Sequence, residues 1–576
     1  MFFENSRKIP FRRLKSYSRY SVTGELKKEV PAYLYSVGLA PESKEPATVW
    51  IDAVQLEEGA ATPFQPSDDL EVGWLCPVPG HIYYDTEDAP LTLRFYNPRK
   101  LPKAELEYAT EDYYGATVDE GTRTIDLGGQ VNADARFDLY KAKRGLYRAA
   151  FRWGKGQGSE IVYSVLPPSK HLKEIYPEGT LGMDVAVGRD NLRILKRANV
   201  NWIMSKFAAR WCLVDPQRGN YVFDDTLVKD AQAEKMMVML QVFNPDWGTM
   251  PWLRPMMKAH PQAAWPDDQK QPFLQAWGDL VRNVVAHFKP WVRHYEIWNE
   301  PNAEWPPSDY GLLLKTAYAA AKRGNPEAVV IGFSGGGLEP RYCEDAIAVA
   351  GSNSFDVISV HFHHNNPDVH AAFAAFLKKH NRPGWNTETG PSCPSFYANL
   401  PTFESLTLEG HRSRTLESIR ALTRSNTNNY LMSLSVGGME RYICYFCRFV
   451  NSSPSQPSLR QGSTKDCVEF DGALRANGVA MSIASHFLDG AKYEGALRNN
   501  ALEAHLYRRG PETVGFLWLK DDNALTPPSA GLTLYDLMGN PLPPATPHRP
   551  AGDPTYFTLK GAVDQATAAL AALQVK

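Results

Sequence analysis

The sequence predicts a multidomain chain in which a (β/α)8 TIM barrel is flanked by β-sandwich domains. Three observations predict it. At 576 residues the chain is too long to fold around one hydrophobic core. Between residues 169 and 489 short apolar runs alternate eight times with stretches of helical periodicity, the pattern of parallel strands joined by crossover helices. On both sides of that region strands alternate with turns, which predicts sheets packed on sheets.

Residues 1–70 hold two strand-like runs, 33–39 and 48–56. The run WIDAVQLEEG, followed by ATPFQP, resembles the last strands of a jelly-roll carbohydrate-binding module. A whole module needs roughly twice as many strands. Residues 1–70 are therefore expected to form a partial jelly roll whose first half is missing from this chain. Residues 71–168 show strands at 91–96, 104–108, 145–151 and 161–165, spaced as in an immunoglobulin-like sandwich and closed by Pro167-Pro168. Gly154-Lys-Gly-Gln-Gly158 lies between two strands rather than between strand and helix, so it reads as a turn and not as a phosphate loop.

The barrel elements follow in order. A strand at 181–184 leads to a helix at 190–198, and a strand at 200–204 to a helix at 227–235. The strand 236–242 precedes the helix 273–287, and a strand running to Glu300 precedes the helix 310–323. Strands at 328–332 and 355–361 precede helices at 343–350 and 369–379. A strand running to Glu388 precedes the helix 416–435, and the eighth strand is 441–445. Strands return at 503–507, 514–518 and 532–540, which predicts a small accessory β-sandwich over residues 490–576.

Composition excludes several function classes. The 62 basic and 64 acidic residues leave a net charge of −2, which makes no electrostatic case for nucleic acid or an anionic membrane. No run reaches the ~18 apolar residues of a membrane span. Charged residues follow Met1-Phe-Phe-Glu at once, so no signal peptide is read and no compartment is assigned. The 7 cysteines are odd in number and irregular in spacing, which argues against a disulfide framework. Cys444-x-x-Cys447 lies in an apolar strand-like run and reads as a pair of structural thiols. His363-His364 lacks the spacing of a metal site, and no cofactor motif is present. Nothing in the sequence decides the oligomeric state.

The chemistry concentrates at two strand ends. An apolar, aromatic run stops at Glu300, and Pro301, which cannot donate to a ladder, follows it. Glu388 ends a second run, Gly384-Trp-Asn-Thr-Glu388. Counting strands puts these residues at the tips of the fourth and the seventh, across the barrel mouth, where barrels place their chemistry. One acid and one carboxylate nucleophile are the minimum for cleaving a glycosidic bond, and paired glutamates drive each other's pKa values apart. Glu296, inside the fourth strand, is expected to be the interior partner of an arginine. His361 and His363 are candidates for lining the site. Trp247, Trp252, Trp265 and Trp305 fall in or after strand-to-helix loops, where stacking on sugar faces competes with loop packing.

Three runs carry a resemblance: YEIWNEPN at 295–302, WNTETG at 385–390 and ARWCLVDPQRGNYVFDD at 209–225. Over about residues 175–490 the chain resembles the clan A retaining glycoside hydrolases, with families 39 and 5 nearest. The resemblance implies a carbohydrate substrate, Glu300 as acid/base, Glu388 as nucleophile and Asn299 on the sugar 2-hydroxyl. It puts His361 where a histidine sits near the nucleophile, and His363 where an aromatic hydroxyl is common. One departure stands out. The clan often ends its second strand with an arginine that steadies the nucleophile, but here Met204 holds that place and Lys206 follows on the same face. A decayed, non-catalytic polysaccharide-binding barrel is the alternative that this departure suggests. An inverting enzyme is a third reading, distinguished by a wider carboxyl separation.

Overall fold

The computed structural model describes residues 68–575 except 155, 186–187, 244–249, 259–262, 338, 391–392, 394, 398–414, 446, 448–466, 470, 522 and 529–530. The expectations for residues 1–67 and for Trp247 lie outside the described residues.

The first unit contains two sheets. One is ordered β1 (Glu71–Leu75), β3 (Pro90–Tyr96), β6 (Asn132–Asp138). The other is ordered β2 (Ile82–Tyr84), β8 (Gln157–Leu166), β7 (Gly145–Trp153), β4 (Lys103–Asp112), β5 (Thr117–Asp126). Period-2 alternation sends Leu91, Leu93 and Phe95 inward from β3 to meet Phe137, Phe151 and Tyr163. The second sheet is used on both faces. Its Ile82, Leu146, Val162 and Leu166 join the core of the barrel instead.

Eight parallel strands then close a barrel: β9 (Leu181–Asp184), β10 (Trp202–Ser205), β11 (Met237–Val242), β12 (His294–Ile297), β13 (Val329–Gly335), β14 (Val357–Val360), β15 (Gly384–Thr389) and β16 (Met439–Cys444). The helices around it are α1 (Arg189–Arg197), α2 (Trp211–Val214), α3 (Thr226–Ala233), α4 (Asp267–Phe288), α5 (Pro301–Glu304), α6 (Pro307–Gly324), α7 (Pro340–Ala350), α8 (Pro367–His380), α9 (Leu416–Ser435) and α10 (Ala476–Leu488). Four of them, α5 to α8, begin at a proline, whose missing N–H costs nothing at the first helical position. Outward residues such as Ile203, Leu240 and Val330 pack on these helices. Inside, Trp202, Met204, Met239, Ile331, Val357, Trp385 and Ile443 fill the lower barrel.

Above that apolar plug lies a buried polar layer. Glu296 was expected to face an arginine; its partners are instead Gln241, which donates to Oε2 at 2.7 Å, and Ser359, which donates to Oε1 at 2.9 Å. Gln241 and Glu296 lie opposite each other in the β11–β12 register, so the pair follows directly from strand alignment.

After α10 comes a five-stranded antiparallel sheet, ordered β17 (Lys492–Arg498), β18 (Leu502–Arg509), β19 (Glu512–Leu519), β22 (Thr555–Lys560), β21 (Leu532–Tyr535). Its second layer is the helix α11 (Val563–Ala571) with the short pair β20 (Leu525–Thr526) and β23 (Gln574–Val575), where Leu517, Phe557, Ala566 and Leu570 meet. The opposite face, with Tyr507, Phe516 and Tyr556, packs on the barrel. Tyr556 stacks on Phe487 of α10 at 4.5 Å. Among the described residues no helix is long and apolar enough to cross a membrane.

Candidate active site

Glu300 does not end a strand. β12 stops at Ile297, and both Trp298 (φ 72°) and Glu300 (φ 45°) take left-handed backbone conformations. Such conformations cost free energy in a non-glycine residue and cluster at functional sites. They redirect the chain so that Pro301 opens α5 directly behind Glu300. The Glu300 amide donates to the Ser334 carbonyl at 3.1 Å, which ties this turn to the end of β13. Gly336 then passes close by. A Cβ built there would lie 3.2 Å from Glu300 Oε1.

Glu388 lies inside β15, every residue of which is buried, and is itself 9% exposed. The β15–β16 register slips between Asn386 and Thr389. Such an irregularity re-aims side chains. Thr389 points outward to the Phe362 carbonyl at 2.5 Å, while Glu388 turns to the mouth and meets Lys206.

Lys206 follows β10 and forms an ion pair with Glu388 Oε2. Its Nζ also stands 3.7 Å from Asp184 Oδ2 and 4.7 Å from the centre of the Tyr445 ring. His361 joins the two glutamates: its Nδ1 donates to Glu300 Oε1 at 3.2 Å and lies 3.8 Å from Glu388 Oε2. The nearer oxygens of the two carboxylates are therefore separated by no more than those two distances laid end to end. His363 Nε2 is 3.9 Å from Glu388 Oε1. The Oδ1 atom of Asn299, beside Glu300, is buried and has no hydrogen-bond partner.

The electrostatics separate the two glutamates. Burial alone would raise the Glu388 carboxyl, but Lys206, His361 and His363 outweigh it and hold it at about 2. Burial likewise opposes the charge on Lys206, and Glu388 with Asp184 overcomes it, so the lysine lies above its ordinary value. In the open site the His361 hydrogen bond holds Glu300 below its ordinary value.

Among the residues singled out in the sequence, the structure brings together Glu300, Glu388, Asn299, His361, His363 and Lys206. Trp305 is elsewhere. It is 5% exposed and packs among Trp265 at 5.2 Å, Trp298 at 5.4 Å and Phe273 at 5.9 Å, so it belongs to loop packing and not to a sugar-stacking face. Trp252 is half-buried with its edge toward Trp211 at 6.2 Å. One site residue was missed. Asp184 closes β9, is fully buried and has no hydrogen bond to either carboxylate oxygen. The signal was present, because Leu181-Gly-Met-Asp184 is also an apolar run ending in a carboxylate. No group of three or more metal-binding side chains occurs among the described residues.

A closed eight-stranded parallel barrel with extra antiparallel sheets is a fold this chain shares with solved glycoside hydrolases. A family 39 glycoside hydrolase from the gut symbiont Bacteroides cellulosilyticus WH2 superposes with a TM-score of 0.62 at 16% identity, covering 84% of this chain and 99% of that one. At that identity the likeness establishes the fold. A family 30 endoxylanase from Clostridium papyrosolvens C71 overlays more loosely, with a TM-score of 0.45 at 13% identity over 68% of this chain and 98% of that one, and adds nothing further. No family model matches the sequence, and no curated protein matches it.

Proposed function

We propose that this protein is a retaining glycoside hydrolase that cleaves β-linked oligo- or polysaccharides by double displacement, with Glu388 as nucleophile and Glu300 as acid/base. The observation that carries this reading is His361 set between the two carboxylates. One imidazole nitrogen within 3.2 Å of Glu300 and 3.8 Å of Glu388 supports the close pairing of carboxyls that a retaining mechanism uses.

In the first step Glu388 Oε attacks the anomeric carbon, the bond to the leaving oxygen breaks, and that oxygen takes the proton from Glu300. A carboxyl held at about 2 is ionised at any working pH, as a nucleophile requires. Glu300 needs its proton, so the open site favours the wrong state. A sugar lying over the carboxyl excludes water and raises its pKa against the pull of His361. In the second step Glu300, now a base, takes a proton from water, and the hydroxide opens the ester at the anomeric carbon. Asn299, with its unpartnered Oδ1 beside Glu300, is suited to accept a hydrogen bond from a sugar hydroxyl. Lys206 supplies the cation that the missing arginine would have given, which weakens the decayed-barrel alternative.

The test is azide rescue. Glu388→Gln should abolish turnover of every glycoside. Glu300→Gln should still react with a dinitrophenyl glycoside, stall at the ester, and be revived by azide to give a β-glycosyl azide. Wild-type rates in both variants would end the catalytic reading, and rescue of Glu388→Gln with retained configuration would reverse the two roles.

A further inference from the structure

Lys206 has two carboxylates within ion-pair range but makes close contact with only one. Its Nζ pairs with Glu388 Oε2 and stands off from Asp184 Oδ2 at 3.7 Å. Asp184 is fully buried, and neither of its oxygens receives a hydrogen bond. A carboxylate in that position would be costly, whereas the neutral acid is tolerated. The titratable groups that face it are Lys206 beyond β10, Glu388 in β15 and Glu296 in β12. Tyr445, beyond β16, borders the same lysine. Burial, with Glu388 and Glu296 adding to it and Lys206 opposing, raises the Asp184 carboxyl to about 7.

We propose that Asp184 is the stand-by counter-ion of Lys206: it carries a proton while Glu388 is ionised and gives that proton up when ester formation neutralises Glu388. The inference rests on Glu388 being the nucleophile. The charges balance at each stage. When Glu388 Oε bonds to the anomeric carbon, the negative charge paired with Lys206 is lost, and the one that Glu300 gains by protonating the leaving oxygen is held by His361 rather than by the lysine. The Asp184 O–H bond then breaks, its proton passes to water at the barrel mouth, and the new carboxylate restores the ion pair. Hydrolysis of the ester returns the charge to Glu388, and Asp184 takes a proton back from solvent. Asp184 is thus a positioning residue that keeps Lys206 from becoming a buried unpaired cation while the ester exists, a state otherwise costly to reach.

The hand-over can be measured without substrate, because Glu388→Gln is a neutral stand-in for the ester. Infrared difference titration of protein labelled with 13C at the aspartate carboxyl is expected to show a buried protonated acid that titrates near pH 7 in the wild type. That band should be missing in Asp184→Asn, and in Glu388→Gln its midpoint should fall by about two pH units. An unchanged midpoint in Glu388→Gln overturns the proposal even if Asp184→Asn fails to fold, and so does a band with its midpoint near pH 7 that survives in a folded Asp184→Asn beside the band of Asp536, whose buried carboxyl is raised only to about 6. Kinetics give a second readout. With a dinitrophenyl glycoside, whose kcat is set by ester hydrolysis, Asp184→Asn should lower kcat/KM about tenfold, because forming the ester strands Lys206, while kcat stays the same or rises, because the ester itself is destabilised. Equal losses in both would mark a merely structural role. A protein inactive on every glycoside would defeat the catalytic reading and leave the infrared result standing.

Discussion

Removing the charge of Lys206 should move the acid limb of the reaction into an accessible pH range. Lys206 is the largest of the influences that lower Glu388, and the carboxyl is held at about 2 against an ordinary 4.5. That difference of roughly 2.5 units corresponds to about 3.4 kcal/mol at 1.36 kcal/mol per unit. In Lys206→Met the burial of Glu388 remains while its main counter-charge is gone, so its pKa should rise to between 4 and 5 or above. The assay is kcat/KM from pH 4 to 9 on a dinitrophenyl glycoside, whose leaving group needs no proton, so Glu300 does not shape the profile. Wild type should stay flat down to pH 4. Lys206→Met should fall below about pH 5 with the slope of one proton, on top of a pH-independent loss of about tenfold from an unanchored nucleophile. Lys206→Arg should keep the flat profile. An acid limb that does not move in Lys206→Met would refute the claim that this lysine sets the ionisation of Glu388.

Three further outcomes are expected. Gly336→Ala puts a Cβ 3.2 Å from Glu300 Oε1, which should cut kcat by about threefold to thirtyfold with the melting temperature almost unchanged; an unaltered kcat would mean that the carboxyl is free to shift. Trp305→Ala should cost about 3–5 kcal/mol in urea denaturation and leave KM alone, because the ring is core packing; a raised KM at unchanged stability would return it to the sugar site. Asp184, raised from 3.8 to about 7, makes stability fall with pH, since the unfolded chain releases that proton near 3.8 and the folded one holds it to about 7. The loss runs over roughly pH 4 to 7 and reaches on the order of 4 kcal/mol as an upper bound, so Asp184→Asn should be more stable than wild type at pH 8 and gain little at pH 4, as read by urea denaturation at both pH values.

Local signals made the barrel legible. The helix at 416–435 begins where a capping box closes between Thr415 and Ser418, a feature written into neighbouring residues. Glu388 was readable as the end of an apolar run. Glu300 was readable as a residue but not as a conformation, because the left-handed turns at Trp298 and Glu300 are stabilised by contacts with β13 far along the chain. The partner of Lys206 depends on which strands face each other across the mouth and on a slipped register in β15, and neither is a property of any short window. Glu296 and Trp305 show a related limit. Residue type suggested an arginine for one and a sugar for the other, while register and aromatic packing supplied Gln241 and a cluster of rings.

The helix α10 has twelve of its thirteen residues buried, all but His486. It touches β9 of the barrel, β7 and β8 of the first unit and β19 of the last, so it lies beneath three units at once. Over its flank the backbone of Arg144 and the side-chain amide of Asn540 exchange two hydrogen bonds, each 2.9 Å, which clasp the first unit to the last. The barrel consequently has no finished outer wall on this side. A fragment cut to the barrel alone would present a bare apolar helix to water, and such a surface drives aggregation. The modules flanking this barrel are thus not appendages that could be shed or exchanged singly, and trimming or grafting would have to move all three together.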